Sequence, residues 1–209
     1  MEVKERIIEQ AVEMYFHSGI KAVTMNDISR NAGISKRTIY EVFHDKDDLL
    51  RHCLRFIDDS YDKQCDQLVR DSDNTIQIVF GLMKIGANAI RQINPLFLDD
   101  LKRFHNKVWK DVYKINTEKQ KTQIMTILKK GINQGFFRKE IDIEILTLAL
   151  MQQLNMISDK RVFPEHIFSP VDVFENVVIV FFRGISTAKG IEVIDKMLGN
   201  RNELFGQMQ

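Results

Sequence analysis

The sequence predicts an all-α protein, and three observations point there. Apolar residues recur at helical spacing from one end of the chain to the other, Ser, Thr, Asp and Asn caps stand ahead of those runs, and Pro occurs at only three positions, each near an expected helix start. The β-branched run VVIV at 177–180 would suggest a strand taken alone. The length of its segment, the cap before it and the lack of a pairing strand argue for helix. With 209 residues and 44% hydrophobic content, the chain can bury a substantial core, as one domain or as a small one joined to a larger one.

The first helix carries Ile8, Ala11, Val12 and Tyr15 on a broad apolar face, with Ile7 and Met14 flanking, and Gly19 ends it. Thr24 and Asp27 then form a capping box, so a second helix begins at Met25. Ile28 and Ala32 give it one inward stripe, and Gly33 supplies the left-handed residue on which the chain turns. Ser35 is an N-cap for a third helix, from about Lys36 to His44, and Ile34 pins the turn to the core. Asp45, with Asp48 at the reciprocal position, caps a fourth that puts Lys46 in its first turn and continues through Leu49, Cys53, Phe56 and Ile57 to about Leu68.

The polar segment 71–74 is the first break after that helix. A helix with Ile76, Val79, Met83, Ile90 and Ile93 inward follows, and Asn94-Pro95 restarts the chain with a cap and a Pro at the first helical position. Leu98, Leu101 and Phe104 continue that helix, and Trp109 and Tyr113 belong to it or to a kinked extension. Thr117 with Gln120 is a capping box that opens another, carrying Ile124, Ile127, Leu128 and Ile132 and closed by Gly135. The stretch 141–159 is apolar nearly all round, as is the one that starts at Ser169-Pro170 with Asp172 as partner, and a short helix from Ile191 to Leu198 finishes the chain. Two such apolar helices are what a homodimer needs to build a two-fold four-helix bundle.

Function is legible first at 24–46. At about 100° per residue, Ile39, Val42 and Phe43 fall on one half of the third helix, and Arg37, Tyr40, Glu41 and His44 on the other, with Lys36 and Thr38 near the boundary. Cations and a phenol near a helix N-terminus match what a duplex phosphate backbone and a guanine edge require, so this is a recognition helix of a helix-turn-helix. The plain alternative is an ordinary solvated charged face. Cap, turn, second cap and split face in register weigh against it.

Other classes are disfavoured. Net charge is +1, and the first 52 residues carry more carboxylates than Lys and Arg, so affinity for DNA must come from local placement and from two copies. The N-terminus lacks an apolar signal segment and the longest apolar run is far too short for a bilayer, which predicts a soluble, cytoplasmic protein with no membrane partner. Cys53 and Cys65 stand about 18 Å apart along one helix, too far to bridge, and read as reduced packing residues. The His residues at 17, 44, 52, 105 and 166 have no ligand-spaced partners, so no metal site is expected, and no cofactor loop or catalytic motif is present.

Thr24, Asp27-Ile28, Ala32-Gly33-Ile34-Ser35, Thr38-Ile39-Tyr40, Phe43, Lys46 and Leu49-Leu50 together resemble the N-terminal domain of the tetracycline-repressor (TetR) family. The resemblance covers about the first fifty residues. It implies that Lys36 and Arg37 approach bases, that Tyr40 and Lys46 hold phosphates, and that Thr24 touches the backbone. With the cap Ser35 and its neighbour Thr38, these make up the expected DNA-binding set. Arg37 stands where the family often carries a small residue, and Glu41 with Val42 where aromatic or His phosphate contacts are frequent. Arg37 adds the chance of direct guanine readout; Glu41 repels phosphate unless it accepts from a cytosine amine or pairs with Arg37.

The resemblance further implies dimerisation through the last two long helices and small-molecule sensing in the C-terminal domain. Phe97, Phe104, Trp109, Tyr113, Phe136 and Met151 are candidate walls of a cavity, and Gln152, Gln153 and Asn155 interrupt an apolar helix where they need partners or exposure. Alternatively the aromatics are core, and the amides lie at the dimer seam or on the surface. The expected organisation is a three-helix helix-turn-helix domain at 1–47 and a helical ligand-binding and dimerisation domain at 48–209. The expected function is that of a homodimeric transcription regulator, a repressor that binds a palindromic operator and leaves it when an unidentified small molecule binds. The alternative is a helical ligand-binding or protein-interaction module whose head does not bind DNA.

Overall fold

Helices form most of the described backbone, and several start at a side-chain cap, as at Thr24, Ser35 and Asn94. The computed structural model describes residues 2–199 except 158, 160, 165, 170, 171 and 174; Pro170, part of the expected start at Ser169-Pro170, lies outside the described residues. Helix α1 spans Val3–Ser18, α2 Met25–Asn31, α3 Lys36–Val42, α4 Lys46–Asp71, α5 Thr75–Gln92 and α6 Pro95–Phe104. They are followed by α7 at Asn106–Asn133 and α8 at Ile143–Ile157. A π-helical turn at Glu175–Ile179 then leads into α9 at Val180–Ile185, and α10 occupies Ala188–Gly199. No strand forms among the described residues, so the all-α expectation holds.

By internal contacts the chain divides into two compact units. One joins the residues up to 67 with Ile85–Asn116, and the other joins Leu68–Lys84 with those from Thr117 on. In the first, Ile7, Ala11 and Tyr15 of α1, Ile28 of α2, Ile39 and Phe43 at α3, and Leu49, Leu50 and Cys53 of α4 share one buried core. Each of those side chains removes roughly 1.5–3 kcal/mol worth of apolar surface from water if large, which is what holds helices as short as α2 and α3, seven residues each, that are marginal alone.

The first unit takes in α6 through long-range polar contacts. The backbone N–H of Asn94 donates to the Phe16 carbonyl at 2.8 Å and its side-chain amide to the His17 carbonyl at 2.8 Å, so the cap of α6 also closes the open carbonyl end of α1. Phe97 sets its ring edge-on to Phe16 with centroids 5.4 Å apart, and the His105 Nδ1 lies 2.5 Å from the Asp47 carboxylate. Asp100 accepts from the Lys21 N–H at 2.7 Å.

The second unit is organised on Ile76, Val79, Phe80, Leu128, Phe137, Leu150, Met151, Phe182 and Ile194. Gln134 accepts from both the N–H and the hydroxyl of Thr75, at 2.9 and 2.6 Å, which caps α5 from 59 residues away. Phe137 and Ser186 form an isolated antiparallel bridge, and Thr187 donates to the Phe136 carbonyl at 2.9 Å. Gly190 is required there, because a Cβ would come within 2.3 Å of the Phe136 carbonyl oxygen.

Three elements differ from the sequence expectation. Thr117 and Gln120 open no helix; they lie inside α7, which starts at Asn106 and runs to Asn133. Nothing between them and the start breaks the ladder, and extending a formed helix is easier than nucleating a new one. Trp109 and Tyr113 accordingly sit in α7, beyond the break at His105. The β-branched run at 177–180 is helical as expected but begins as a π turn, a wider ring in which one residue more is accommodated. The last helix starts at Ala188, three residues before Ile191, because the Thr187 hydroxyl accepts from the Gly190 N–H and caps it.

Candidate nucleic-acid interface

The helix-turn-helix is built by bonds that close within a few residues. Asp27 donates its N–H to the Thr24 hydroxyl at 3.2 Å, while its carboxylate accepts from the Thr24 N–H at 3.0 Å and from the hydroxyl at 2.5 Å. Those bonds hold the exposed Asp27 carboxyl below its usual pKa, with the Thr24 side-chain bond first and the backbone bond second. Gly33 turns the chain at φ +64, a left-handed angle that costs a residue with a Cβ. Ser35 then accepts from the Thr38 N–H at 3.0 Å and opens α3.

The expected split of α3 is present. Ile39 is fully buried and Val42 packs against the core, while Lys36, Arg37, Tyr40 and Glu41 are exposed. Tyr40 leaves 46% of its surface to solvent, which for an aromatic on a helix over an intact core marks a side chain held outward. Arg37 gives its Nε–H to the Glu41 carboxylate at 2.7 Å. Thr38 is half-buried, with its hydroxyl 2.9 Å from that of the exposed Ser35.

Two members of the expected set are engaged elsewhere. The Thr24 hydroxyl proton is directed at Asp27, so toward a phosphate it offers an oxygen rather than a donor. Lys46 turns inward: its ammonium donates to the Ile20 carbonyl at 2.7 Å and the Val23 carbonyl at 2.6 Å, near the Tyr15 ring. Burial pulls its pKa down, opposed by Asp100, Asp27 and Asp47. The geometry assigns Lys46 the task of closing the α1–α2 loop, whose carbonyls have no helical partner. That task leaves no signal in local sequence, because donor and acceptors are more than twenty residues apart.

The residues expected around a ligand divide between the units. Phe97 is core of the first unit at 3% exposed, and Phe104 is 46% exposed with the Lys21 ammonium 4.9 Å from its ring centroid. The Trp109 and Tyr113 rings meet at a 37° tilt with centroids 5.1 Å apart, in the same unit. Met151 is core of the second unit, while Gln152 and Asn155 on the same helix are exposed. An open cleft of about 450 Å³ lies among Glu13, Phe16, His17 and 92–95, and another of about 350 Å³ beside Arg138, Ile141 and Ile145. Neither is lined by any of the seven.

Neither cysteine is in a disulfide and both are buried, and burial pushes the Cys53 thiol up to about 12, so it is no nucleophile at neutral pH. Among the described residues no three His, Cys, Asp or Glu gather as metal ligands, and no helix is long and apolar enough to cross a membrane.

Residues 7–53 match the family model described as "Bacterial regulatory proteins, tetR family". Over 190 residues the chain is 22% identical to the HTH-type transcriptional repressor KstR2 of Mycolicibacterium smegmatis, covering 90% of this chain and 92% of the relative. Over 183 residues it is 24% identical to the HTH-type transcriptional regulator YvaF of Bacillus subtilis, covering 87% and 95%. A solved transcriptional regulator from Cytophaga hutchinsonii superposes with a TM-score of 0.71 at 21% identity, over 88% of this chain and 98% of that one, and so shares its fold. The matched segment holds the capping box, the Gly33 turn and the outward face of α3, so over these residues the chain is similar to the tetR family of bacterial regulatory proteins.

Proposed function

We propose that this regulator represses transcription as a homodimer on a palindromic operator and leaves it when a small molecule binds the second unit. The observation that carries the DNA-binding part is the face of α3: Lys36, Arg37 and Tyr40 stand in solvent over a buried Ile39. A rigid base under exposed cations is what allows a side chain to be placed in a groove rather than merely attracted to a polyanion. Thr24, Ser35 and Thr38 line the same motif and Lys46 supports it from beneath, so their contribution is to backbone contact and to placement.

A second copy is supported by α8. Ile145 is 65% exposed, Leu148 49% and Met156 38%, and at 100° per residue these three and Gln152 fall within about a quarter-turn of the helix. Such a stripe is costly in water, and an identical stripe on another copy covers it by two-fold symmetry. An effector in the same unit is supported by the Thr147 hydroxyl and the Gln153 side-chain Oε1, which are buried without a hydrogen-bond partner among the described residues. Polar atoms left so in an apolar interior favour a ligand that supplies the missing partner. The ligand acts by population shift, favouring a head spacing that no longer fits major grooves about 34 Å apart.

Selection of the full chain against a randomised duplex pool tests this. An enriched inverted repeat is the expected outcome; no enrichment even at low salt rejects it and favours a helical module whose head does not bind DNA.

A further inference from the structure

We propose that Glu41 is a specificity-determining residue, holding Arg37 by its Nε so that the two terminal amines meet a guanine edge end-on. This rests on the DNA-binding function proposed above. The Arg37 Nε–H to Glu41 bond is 2.7 Å long, and the arginine side chain is otherwise in solvent, 89% exposed, with no other ion pair among the described residues. One nitrogen of the guanidinium fork is therefore occupied and the far pair is free.

An exposed pair four residues apart is common, and its usual role is to support the helix. This pair is arranged against that role. Its cation stands in the first turn of α3 and its anion in the last, opposite to what the helix dipole favours, and Arg ahead of Glu is the weaker order for such a pair. Nor does Glu41 help a protein approach phosphates, since an exposed carboxylate on the binding face repels them. Holding Arg37 accounts for both features. Glu41 neutralises its own charge against the arginine and fixes which edge of the guanidinium points away from the helix.

The chemistry of the base then follows. Guanine offers O6 and N7 side by side in the major groove, and a guanidinium bridges them through its two terminal amines or through Nε and one amine. With Nε given to Glu41, only the first mode is open. A braced arginine also loses less rotamer freedom on binding than a free one, so the discrimination of a guanine from another base is expressed more fully. Lys36, a flexible point charge with no such brace, is left to attract rather than to read.

The test is selection of the full chain from a randomised duplex pool, followed by titration against single-base variants of the selected site. Wild type, Arg37→Ala, Glu41→Ala, Glu41→Gln and the double Arg37→Ala/Glu41→Ala variant are compared, each checked for retained helicity by circular dichroism. The wild-type site is expected to hold one guanine per half-site whose preference disappears with Arg37→Ala. Glu41→Ala should weaken that same preference about tenfold and leave the other positions alone. Glu41→Gln, whose amide oxygen still accepts from Nε, should keep most of it, and the double variant should match Arg37→Ala. The inference is overturned if Glu41→Ala leaves the guanine preference intact, relaxes a different position, or tightens binding to all sequences alike. A wild-type protein that enriches no inverted repeat overturns the DNA-binding function itself and takes this inference with it.

Discussion

Two outward faces of this chain are made of opposite materials. On α3, Lys36, Arg37, Tyr40 and Glu41 stand exposed over a buried Ile39; on α8, Ile145, Leu148 and Met156 stand exposed over a buried Leu150 and Met151. Both helices obey the same periodicity and bury the same kind of residue on the inner side. Only the outer sides differ, and water tolerates one and not the other. An outer face that water already satisfies is kept for a partner that competes with water by charge and shape, whereas an apolar one is kept for a partner that removes it from water altogether.

Breaking the base on which a face rests should give the largest effect. Phe43 is fully buried where α3 ends, so Phe43→Ala should destabilise the first unit by about 3–5 kcal/mol, measured by urea unfolding. DNA binding should be lost with it. A loss well under 1 kcal/mol would mean that α3 is not held by its inner side, and the comparison between the faces would lose its footing.

Next in size is the apolar face. Leu148→Glu places a charge in the middle of the α8 stripe, and the dimer should weaken by about a hundredfold, since an unpaired charge must be desolvated on each copy. Sedimentation velocity over a concentration series measures this. Wild-type chain that sediments as a monomer throughout would remove the second copy as the occupant of that face. The charged face gives a smaller change. Lys36→Ala should cost about 1 to 3 kcal/mol in operator affinity, and its fall should be even across sequences if the ammonium only attracts phosphates, which titrations on site variants would separate from loss at one base.

The outer faces of both helices were legible in the sequence from periodicity; what was legible of the rest depended on range. Thr24 with Asp27, Ser35 with Thr38, Asp45 with Asp48, and Asn94 with Leu96 all close their caps within three residues, so the bonds are written in neighbouring letters. Thr75 is capped by Gln134 and the end of α1 by Asn94, and nothing near either helix end announces it. The box at Thr117 and Gln120 shows the converse, a local pattern silenced because the helix around it never breaks. Of the residues expected to face DNA, the outward set on α3 followed from periodicity. The inward turn of Lys46 did not, since a lysine in a first turn looks the same whether it faces phosphate or a loop carbonyl. Aromatic content likewise does not tell a wall from a core: Phe97 is interior, Phe104 is surface, and both have the same letter.

The smallest effect separates placement from contact at Thr24. Thr24→Ala removes the N-cap of α2 and should cost about 1 kcal/mol of stability. The same substitution removes the leading cause of the low Asp27 pKa, and this gives the prediction a pH signature. A carboxyl whose folded pKa lies below its unfolded value stabilises the fold above the unfolded value, and that contribution is lost as pH falls through the folded one. In wild type the cap should therefore persist through the ordinary carboxylate range, near 3.8, and fail only below it, whereas in the variant Asp27 should titrate nearer that value. Thermal melts of both chains between neutral and acid pH should converge at the acid end. If Thr24 also met a phosphate through its hydroxyl, the variant would lose operator affinity at neutral pH beyond what its lower stability explains; affinity that merely tracks the melts would make Thr24 a cap whose only contribution to DNA binding is to keep α2 in place under α3.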